Sequence, residues 1–574
     1  MNNNSINNNN NMNNIQDNTN LMNTSSMNQT AAINSNNSNQ TISSHYSNDM
    51  MATTEDIAEH KSNSSVNPIK SGMMMNKDNK TKSAPSSNNN IDDGVDIDLQ
   101  GIPKFILDLQ IVQPTLNIMT CGDVSHGKST LLAALSGEKT GKHSAEKKGN
   151  MTIRLGYTSC KIWKCLLCPR PECYFTTHSD AKFKSIACPN CGEKPNKSYK
   201  RYEQGSSKVF LIRHLSFVDV PGHAQLMQTM VSATSVADGC ILVIDSSKAC
   251  PGKQTAQHMD AINLLGLMKE GQMIIAQNKI DLIDPNKACL SYEEIRRYLD
   301  TFGDSKFAYN TPVIPISAQS RLNIDALCNS VINNLPKFSS KLLDNSYNQY
   351  LEQRSLKSDD LYMNIIRSFD VNKAKDLVTL QDIDKIAGGV LGGAVINGHV
   401  TVGQEIEIRP GYIGKRPTKQ FKNKMKEKTQ SMWTAQPIRT KIKSLKYGKN
   451  QAKEGYPGGN VGIQTNIDPS LTKSDGMCGH VVIDASNPNP PPIFNKFIMS
   501  YTFLCDARWC KKQPFKELEE IRVNIGSFKM KAEVVPQEKS RKSSRNRPEP
   551  HQKQQDYPSI MVILEAPICA RIGD

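Results

Sequence analysis

Short apolar runs punctuated by turn residues occupy the middle of the chain. They lie at 115–121, 215–219, Gly239–Asp245, 273–277 and 313–317, and their length and flanking turns predict buried strands. Stretches with helical periodicity separate them, at 254–268 and 291–301, and the cluster Leu131-Leu-Ala-Ala-Leu135 opens a helix directly after the first run. Strands alternating with helices at this spacing predict a parallel α/β sheet covered on both faces. Beyond residue 361 the pattern changes to short alternating runs, at Tyr362–Phe369, 390–396, 404–408 and Asn460–Gln464, set between the glycine pairs Gly388-Gly389, Gly392-Gly393 and Gly458-Gly459. That pattern predicts a small β-barrel. A second β unit follows from 488, with strands at 496–504, Glu520–Ile525 and 559–564 and a basic, proline-containing loop at 537–555. The expected plan is a disordered extension (1–104), an α/β domain (105–345) and two β-barrel domains (360–487 and 488–574).

Composition accounts for the first hundred residues. Of the first 50, 19 are Asn, and so polar a tract cannot bury enough surface to offset an ordering cost of about 1–2 kcal/mol per residue. Lys and Arg exceed Asp and Glu by 70 to 55, a formal charge of +15 that favours polyanionic partners such as RNA. No apolar run reaches 18 residues and the start lacks the regions of a signal peptide, so no membrane partner is expected and the chain reads as soluble and cytoplasmic. Fifteen cysteines, five of them between 165 and 191, then read as reduced thiols and a metal site, not a disulfide framework.

The glycine loop carries the chemistry. Gly122-Asp-Val-Ser125-His126-Gly127-Lys128-Ser129-Thr130 fits G-x-x-x-x-G-K-[ST] between a strand and a helix. Its backbone amides can turn inward around phosphates, Lys128 supplies positive charge, and the Ser129 hydroxyl is placed to ligate Mg²⁺. Asp219-Val-Pro-Gly222 closes a strand and brings a carboxylate toward the metal. Asn278-Lys279-Ile-Asp281 follows another strand, and its Asp can accept two hydrogen bonds from guanine, a donor pair that adenine lacks. Ser317-Ala318-Gln319 adds donors for the guanine carbonyl. Thr152, between the loop and Asp219, is the expected switch threonine that closes on Mg²⁺. His223, directly after Gly222, is the candidate to orient the attacking water; the other reading is a histidine packed on the sheet. The site is read as one for GTP and GDP with Mg²⁺.

These motifs, with Asn150-Met-Thr-Ile-Arg-Leu-Gly-Tyr157 and Phe217-Val-Asp-Val-Pro-Gly-His223, resemble translational GTPases. The cysteine-rich insert (160–200), Ile366-Arg-Ser-Phe-Asp-Val-Asn-Lys373 and Gly403-Gln-Glu-Ile-Glu-Ile-Arg-Pro-Gly411 narrow the resemblance to the gamma subunits of eukaryotic translation initiation factor 2, over about residues 105–574. The resemblance implies a heterotrimer with alpha and beta subunits that carries initiator methionyl-tRNA to the small ribosomal subunit. It also implies hydrolysis promoted by initiation factor 5 and GDP release by an exchange factor. Two departures stand out. Asp123 and Ser125 replace the His and the acidic residue common in this loop, so a second magnesium is not expected. The chain also stops where family members continue, so the last barrel is expected to be incomplete.

Cys165-x-x-Cys168 and Cys188-x-x-Cys191, with 19 residues between the pairs, suit a structural Cys₄ zinc knuckle; Cys173 has no partner at such a spacing. The positive charge gathers in two blocks. Residues 409–453 hold 14 Lys or Arg against Glu427 alone, and residues 139–213 hold 16 against five acids. Lys422, Lys424, Lys426 and Lys428 are therefore candidates for tRNA phosphate contacts, and Tyr157 for stacking on the terminal adenosine. Two other functions fit the same residues less fully: an elongation-type factor for a special aminoacyl-tRNA, and a non-hydrolysing scaffold that binds RNA or protein.

Overall fold

The computed structural model describes residues 97–140, 146, 152–196, 207–264, 266–342, 361–372, 386–415, 433–501, 515–535 and 558–571. The Asn-rich extension to residue 96, the loop 537–555 and the four lysines Lys422, Lys424, Lys426 and Lys428 lie outside these residues.

The first domain is built on a seven-stranded sheet of order β3-β2-β4-β1-β5-β6-β7. Its strands are β1 (Leu116–Cys121), β2 (Gly156–Cys165), β3 (Tyr174–His178), β4 (Val209–Asp219), β5 (Gly239–Asp245), β6 (Met273–Asn278) and β7 (Val313–Pro315). Strands β4, β1, β5, β6 and β7 run parallel, and β2 and β3 add an antiparallel edge. Alternation splits each central strand between two cores. Leu116, Ile118, Ile241, Val243, Ile274 and Ala276 pack on one face, while Met119, Cys121, Cys240, Leu242, Met273 and Ile275 pack on the other. Because both faces are covered, the strands read as continuous apolar runs. Helices α1 (Lys104–Val112), α2 (Lys128–Ser136), α3 (Met227–Thr234), α4 (Lys253–Leu264), α5 (Pro285–Asp300), α6 (Ser305–Asn310) and α7 (Ile324–Asn334) supply the cover. Helix α5 begins six residues before the expected 291, because Asp284 caps it through the Lys287 amide and Pro285 occupies its first turn.

Order begins before the expected boundary at 104. Residues Ile97–Leu99 form a 3₁₀ turn whose Asp98 carboxylate accepts from Lys164 (2.7 Å), Arg170 (2.6 Å) and Tyr174 (2.8 Å). Burial pushes this carboxyl upward, but these partners hold it below the usual carboxylate range. An acid in a tail that looks featureless is thus the anchor of the insert's hairpin.

The second unit holds β8 (Tyr362–Phe369), β9 (Val390–Asn397), β10 (Val400–Thr401), β11 (Glu405–Lys415), β12 (Trp433–Lys441), β13 (Ser444–Tyr447), β14 (Asn450–Ala452), β15 (Glu454–Gly455), β16 (Asn460–Gln464) and β17 (Val481–Asp484), with the short helix α8 (Pro469–Thr472). Eight of these strands form one antiparallel sheet and β10 pairs with β15. Its core includes Met363, Ile365, Leu391, Val395, Ile406, Leu445 and Val461. The third unit pairs β18 (Ile493–Ser500), β21 (Ser559–Cys569), β20 (Phe528–Val535) and β19 (Glu520–Ile525) in the order β18-β21-β20-β19. Both β units are antiparallel sheets of the barrel type expected.

Several seams bring these units to the nucleotide domain. Gln113 and Tyr456 exchange hydrogen bonds, side-chain amide to carbonyl and backbone amide to side-chain oxygen, at 3.1 Å each. Beside them Gly458 and Gly459 lie against Pro114 and Thr115; a Cβ on Gly458 would come within 2.6 Å of the Thr115 backbone. The third unit meets α3, where Asn524 donates to the Gln228 carbonyl (3.0 Å) and Lys529 to the Thr229 hydroxyl (2.8 Å).

Candidate functional site

The loop between β1 and α2 turns on two glycines and one serine. Gly122 (φ 131°), Ser125 (φ 64°) and Gly127 (φ 96°) adopt the left-handed conformations that aim successive amides inward. Substitution is blocked from outside as well, since a Cβ on Gly122 would strike the Val243 carbonyl and one on Gly127 the Asn278 amide. The buried His126 ring donates from Nδ1 to the Val243 carbonyl at 3.1 Å, and burial lowers its pKa, so the ring braces the loop as a neutral group. Lys128 is buried in the mouth of the loop, where its ammonium donates to the carbonyls of Gly122 (3.0 Å) and Asp123 (2.8 Å). Burial also lowers its pKa, against the opposing pull of Asp219.

Ser129, Thr152 and Asp219 meet at one point. Ser129 Oγ donates to Asp219 Oδ2 at 2.6 Å and lies 3.0 Å from Thr152 Oγ1. A fourth group, absent from the sequence reading, joins them: Thr140 Oγ1 donates to the same Asp219 oxygen at 2.5 Å. Burial raises the Asp219 pKa while Ser129 and Thr140 lower it. Three hydroxyls and a carboxylate facing one another, all hard oxygen donors, suit Mg²⁺. Nothing in the spacing of Thr140 distinguishes it from other loop threonines. Thr152 in turn sits beside Ile153 and Arg154, whose amides both donate to Glu146 Oε1 at 3.0 Å.

On the base side Asn278 ties three loops together. Its Nδ2 donates to the His126 carbonyl (2.8 Å) and its Oδ1 accepts from the Ala318 amide (2.9 Å). Lys279 adopts a left-handed conformation (φ 66°) and pairs with the buried Asp245 at 2.7 Å. Asp281 follows on a 3₁₀ turn with its carboxylate exposed, and Gln319 is exposed beside the buried Ser317 and Ala318. The structure therefore gathers the nucleotide loop, 278–281 and 317–319 around one space, with Thr130 exposed on the first turn of α2.

Two candidates stand apart. His223 does not reach the loop: its Nδ1 accepts from the Gln225 amide at 3.2 Å, and among the described residues it makes no hydrogen bond to the nucleotide loop. Tyr157 is packed on the core that joins the sheet to the second unit, with its hydroxyl buried and unpaired and its pKa pushed up by that burial. The ring is held against that core and its hydroxyl is turned away from solvent.

In the insert, the sulfur atoms of Cys165, Cys168, Cys188 and Cys191 all lie within 4.8 Å of one another. Cys165 and Cys191 are 3.4 Å apart, Cys168 and Cys188 3.7 Å. Zinc–sulfur bonds of about 2.3 Å in a tetrahedron separate thiolates by about 3.8 Å, so the four sulfurs fit the ion. The Cys173 thiol is not in the group.

With this loop, hydroxyl–carboxylate cluster and Asn-Lys-x-Asp corner on one parallel sheet, residues 113–337 match the elongation factor Tu GTP binding domain, and the domain is that of a translational GTPase. The chain is 35% identical over 429 residues to eukaryotic translation initiation factor 2 subunit 3 of Drosophila melanogaster, covering 72% of this chain and 78% of that one. It is also 35% identical over 470 residues to the translation initiation factor 2 subunit gamma of Methanocaldococcus jannaschii, covering 81% and 93%. The chain belongs to the family of translation initiation factor 2 gamma subunits. It is a GTP-binding initiation factor subunit and a GTPase. Among the described residues no helix is long and apolar enough to cross a membrane.

Proposed function

We propose that this chain is the nucleotide-binding subunit of a cytoplasmic heterotrimer with alpha and beta subunits. In its GTP form it binds initiator methionyl-tRNA and delivers it to the small ribosomal subunit, with hydrolysis promoted by initiation factor 5 and GDP exchanged by a dedicated factor. The carrying observation is the path from the Ser129–Thr152–Asp219 cluster to the second unit. Thr152 bonds Ser129, and two residues later Arg154 pairs with Asp475 (3.5 Å), which also holds Arg367 (2.8 Å). A group that senses magnesium and the γ-phosphate is thereby tied to the β unit that would carry tRNA.

The residues divide the work. Gly122 to Thr130 cradle the phosphates, Lys128 offsets their charge, and Asp281 reads guanine with Lys279 and Ser317 to Gln319 around it. Magnesium held by Ser129, Thr152 and Asp219 would neutralise charge developing on the phosphates. His223 would position the attacking water by turning about the peptide that follows Gly222, which itself stays on the nucleotide loop. Zinc on the four cysteines would be structural, since four thiolates leave no open position. Exposed Lys441, Lys443, Lys446 and Lys449 alternate with buried Ile442, Leu445 and Tyr447, and the Lys449 amide bonds Asp180 of the insert hairpin at 3.2 Å. The two basic stretches thus adjoin one another, which supports a phosphate path along them.

Filter binding of initiator and elongator methionyl-tRNA, with the chain loaded with GTP or GDP, tests this reading. Preference for the initiator species in the GTP form is expected. Neutralising Lys422, Lys424, Lys426 and Lys428 should weaken tRNA binding and flatten its salt slope, because fewer counterions are released. Equal binding of the two tRNAs would favour an elongation-type factor.

A further inference from the structure

Helix α4 opens beneath the nucleotide loop, and its second residue faces two acceptors. With its amide nitrogen turned to them, Gln254 donates to Asp123 Oδ1 (2.5 Å) and to the Gly222 carbonyl (2.6 Å). A carboxylate and a carbonyl accept only, so the donor must be the amide, and its two hydrogens match the two oxygens. Asp123 Oδ1 also accepts from the Val124 amide at 2.5 Å, and Oδ2 is turned to Gly252, 3.4 Å from where a Cβ would stand. The carboxylate is thus held toward α4 and away from the phosphate cradle. Gly222 is pressed on the same loop: a Cβ there would lie 2.6 Å from Lys128 Nζ and 2.7 Å from the Val124 nitrogen. The Gly222 carbonyl belongs to the peptide that leads into His223.

We propose that Gln254 is a positioning residue for GTP hydrolysis. One side-chain amide holds both the second residue of the nucleotide loop and the peptide before His223, so it fixes the distance between loop and turn and the direction in which His223 leaves the turn. The proposal rests on the reading of His223 as the group that positions water. It depends on what this chain carries at 123. Asp123 presents an acceptor to the amide, so residues 123, 222 and 254 form one unit. A shorter side chain at 254 would not span it, and a Glu would set a carboxylate against two oxygens.

The test uses the full chain, with single-turnover GTP hydrolysis, GDP affinity and melting temperature measured side by side. Gln254→Leu should slow hydrolysis by about 10- to 100-fold, the range that misplacing a reacting group produces, while GDP affinity and melting temperature stay near wild type. Asp123→Asn/Gln254→Glu returns a hydrogen bond between 123 and 254 with the donor reversed but gives Gly222 no donor, so it should remain slow. In a His223→Ala background, Gln254→Leu should add no further loss. Wild-type hydrolysis by Gln254→Leu would overturn the proposal. So would a matching loss of GDP affinity and melting temperature, which marks a structural brace, or rescue by the Asp123→Asn/Gln254→Glu pair. If His223→Ala hydrolyses GTP as fast as wild type, the reading of His223 falls and takes this proposal with it. If His223→Ala is slow and Gln254→Leu is not, only the role of Gln254 falls.

Discussion

Replacing Asn278 with alanine removes one side chain from three loops at once. Its Nδ2 holds the His126 carbonyl at 2.8 Å and its Oδ1 holds the Ala318 amide at 2.9 Å, and the residue is 2% exposed, so water is poorly placed to replace either bond. A buried donor or acceptor left unpaired costs about 1–3 kcal/mol, so two cost about 2–6 kcal/mol. Gly127 rests on the same amide, so its loss also opens a gap at that end of the phosphate loop. Nucleotide binds only when the loops are assembled, so a cost paid on assembly appears as lost affinity. At the low end, about 2 kcal/mol, GDP affinity should fall roughly 30-fold. Asn278→Asp keeps the acceptor for Ala318 but sets a carboxylate against the His126 carbonyl, so it should be no better than alanine. Titration with fluorescent GDP, read beside a thermal melt, measures both effects. An Asn278→Ala chain that binds GDP within about threefold of wild type and melts at the same temperature would show that other contacts assemble the corner, and the argument from these two bonds would be wrong.

Two further substitutions probe the other centres. Elemental analysis should find about one zinc per chain, lost in Cys188→Ser/Cys191→Ser, as a Cys₄ site requires; a metal-free wild type that melts normally would refute the zinc reading. Asp281→Asn should shift preference from guanine to xanthine nucleotides, because xanthine carries a carbonyl where guanine has its N2 donor and an Asn amide can meet it. Undiminished GDP binding with no gain for xanthosine diphosphate would remove Asp281 from the base-reading role.

The parts of the site that sequence made legible are those written in contiguous residues. A glycine loop between strand and helix, Asp219 to Gly222 at a strand end, and Asn278 to Asp281 each announce a backbone conformation and a chemistry together, and the fold sets them around one space. The central strands were equally plain because burial on both faces makes them solid apolar runs. The edge was not. Strands β2 and β3 carry Lys161, Lys164 and His178 among their apolar residues, and their register depends on pairing with β4. Thr140 and Asp98 were missed for a related reason. Each takes its meaning from a partner 66 to 79 residues away, Asp219 for one and Lys164, Arg170 and Tyr174 for the other, and no local pattern records such a meeting. Gly458-Gly459, in sequence only a glycine pair beside a strand, is also a docking point, which only the approach of Pro114 and Thr115 reveals.

The seam between the nucleotide domain and the second unit shows what those long-range meetings do energetically. Asp475 accepts from Arg367 Nε at 2.8 Å and from the Ser368 amide at 3.1 Å, both within the second unit. Hydrogen bonds to a charged group contribute about 1.5–3 kcal/mol, so the acid is fixed whether or not a third partner arrives. Arg154 is that third partner, at 3.5 Å, and its side chain is 52% exposed. A pair so open to solvent contributes only about 0–1 kcal/mol. The two halves of the contact therefore differ in kind: a prebuilt acceptor on the β unit, and a weak, exposed cation on the segment that includes Thr152. Weakness here is useful. A contact several kilocalories stronger would hold 152–154 on the second unit whatever filled the nucleotide site, whereas one of this size can be made or lost as the segment around Thr152 shifts. At α3 the third unit likewise makes single hydrogen bonds, from Asn524 and Lys529 to Gln228 and Thr229. At Arg154 and at α3, the segments that flank the γ-phosphate position in the proposed mechanism thus meet neighbouring units through polar contacts small enough to be reset by one bound group.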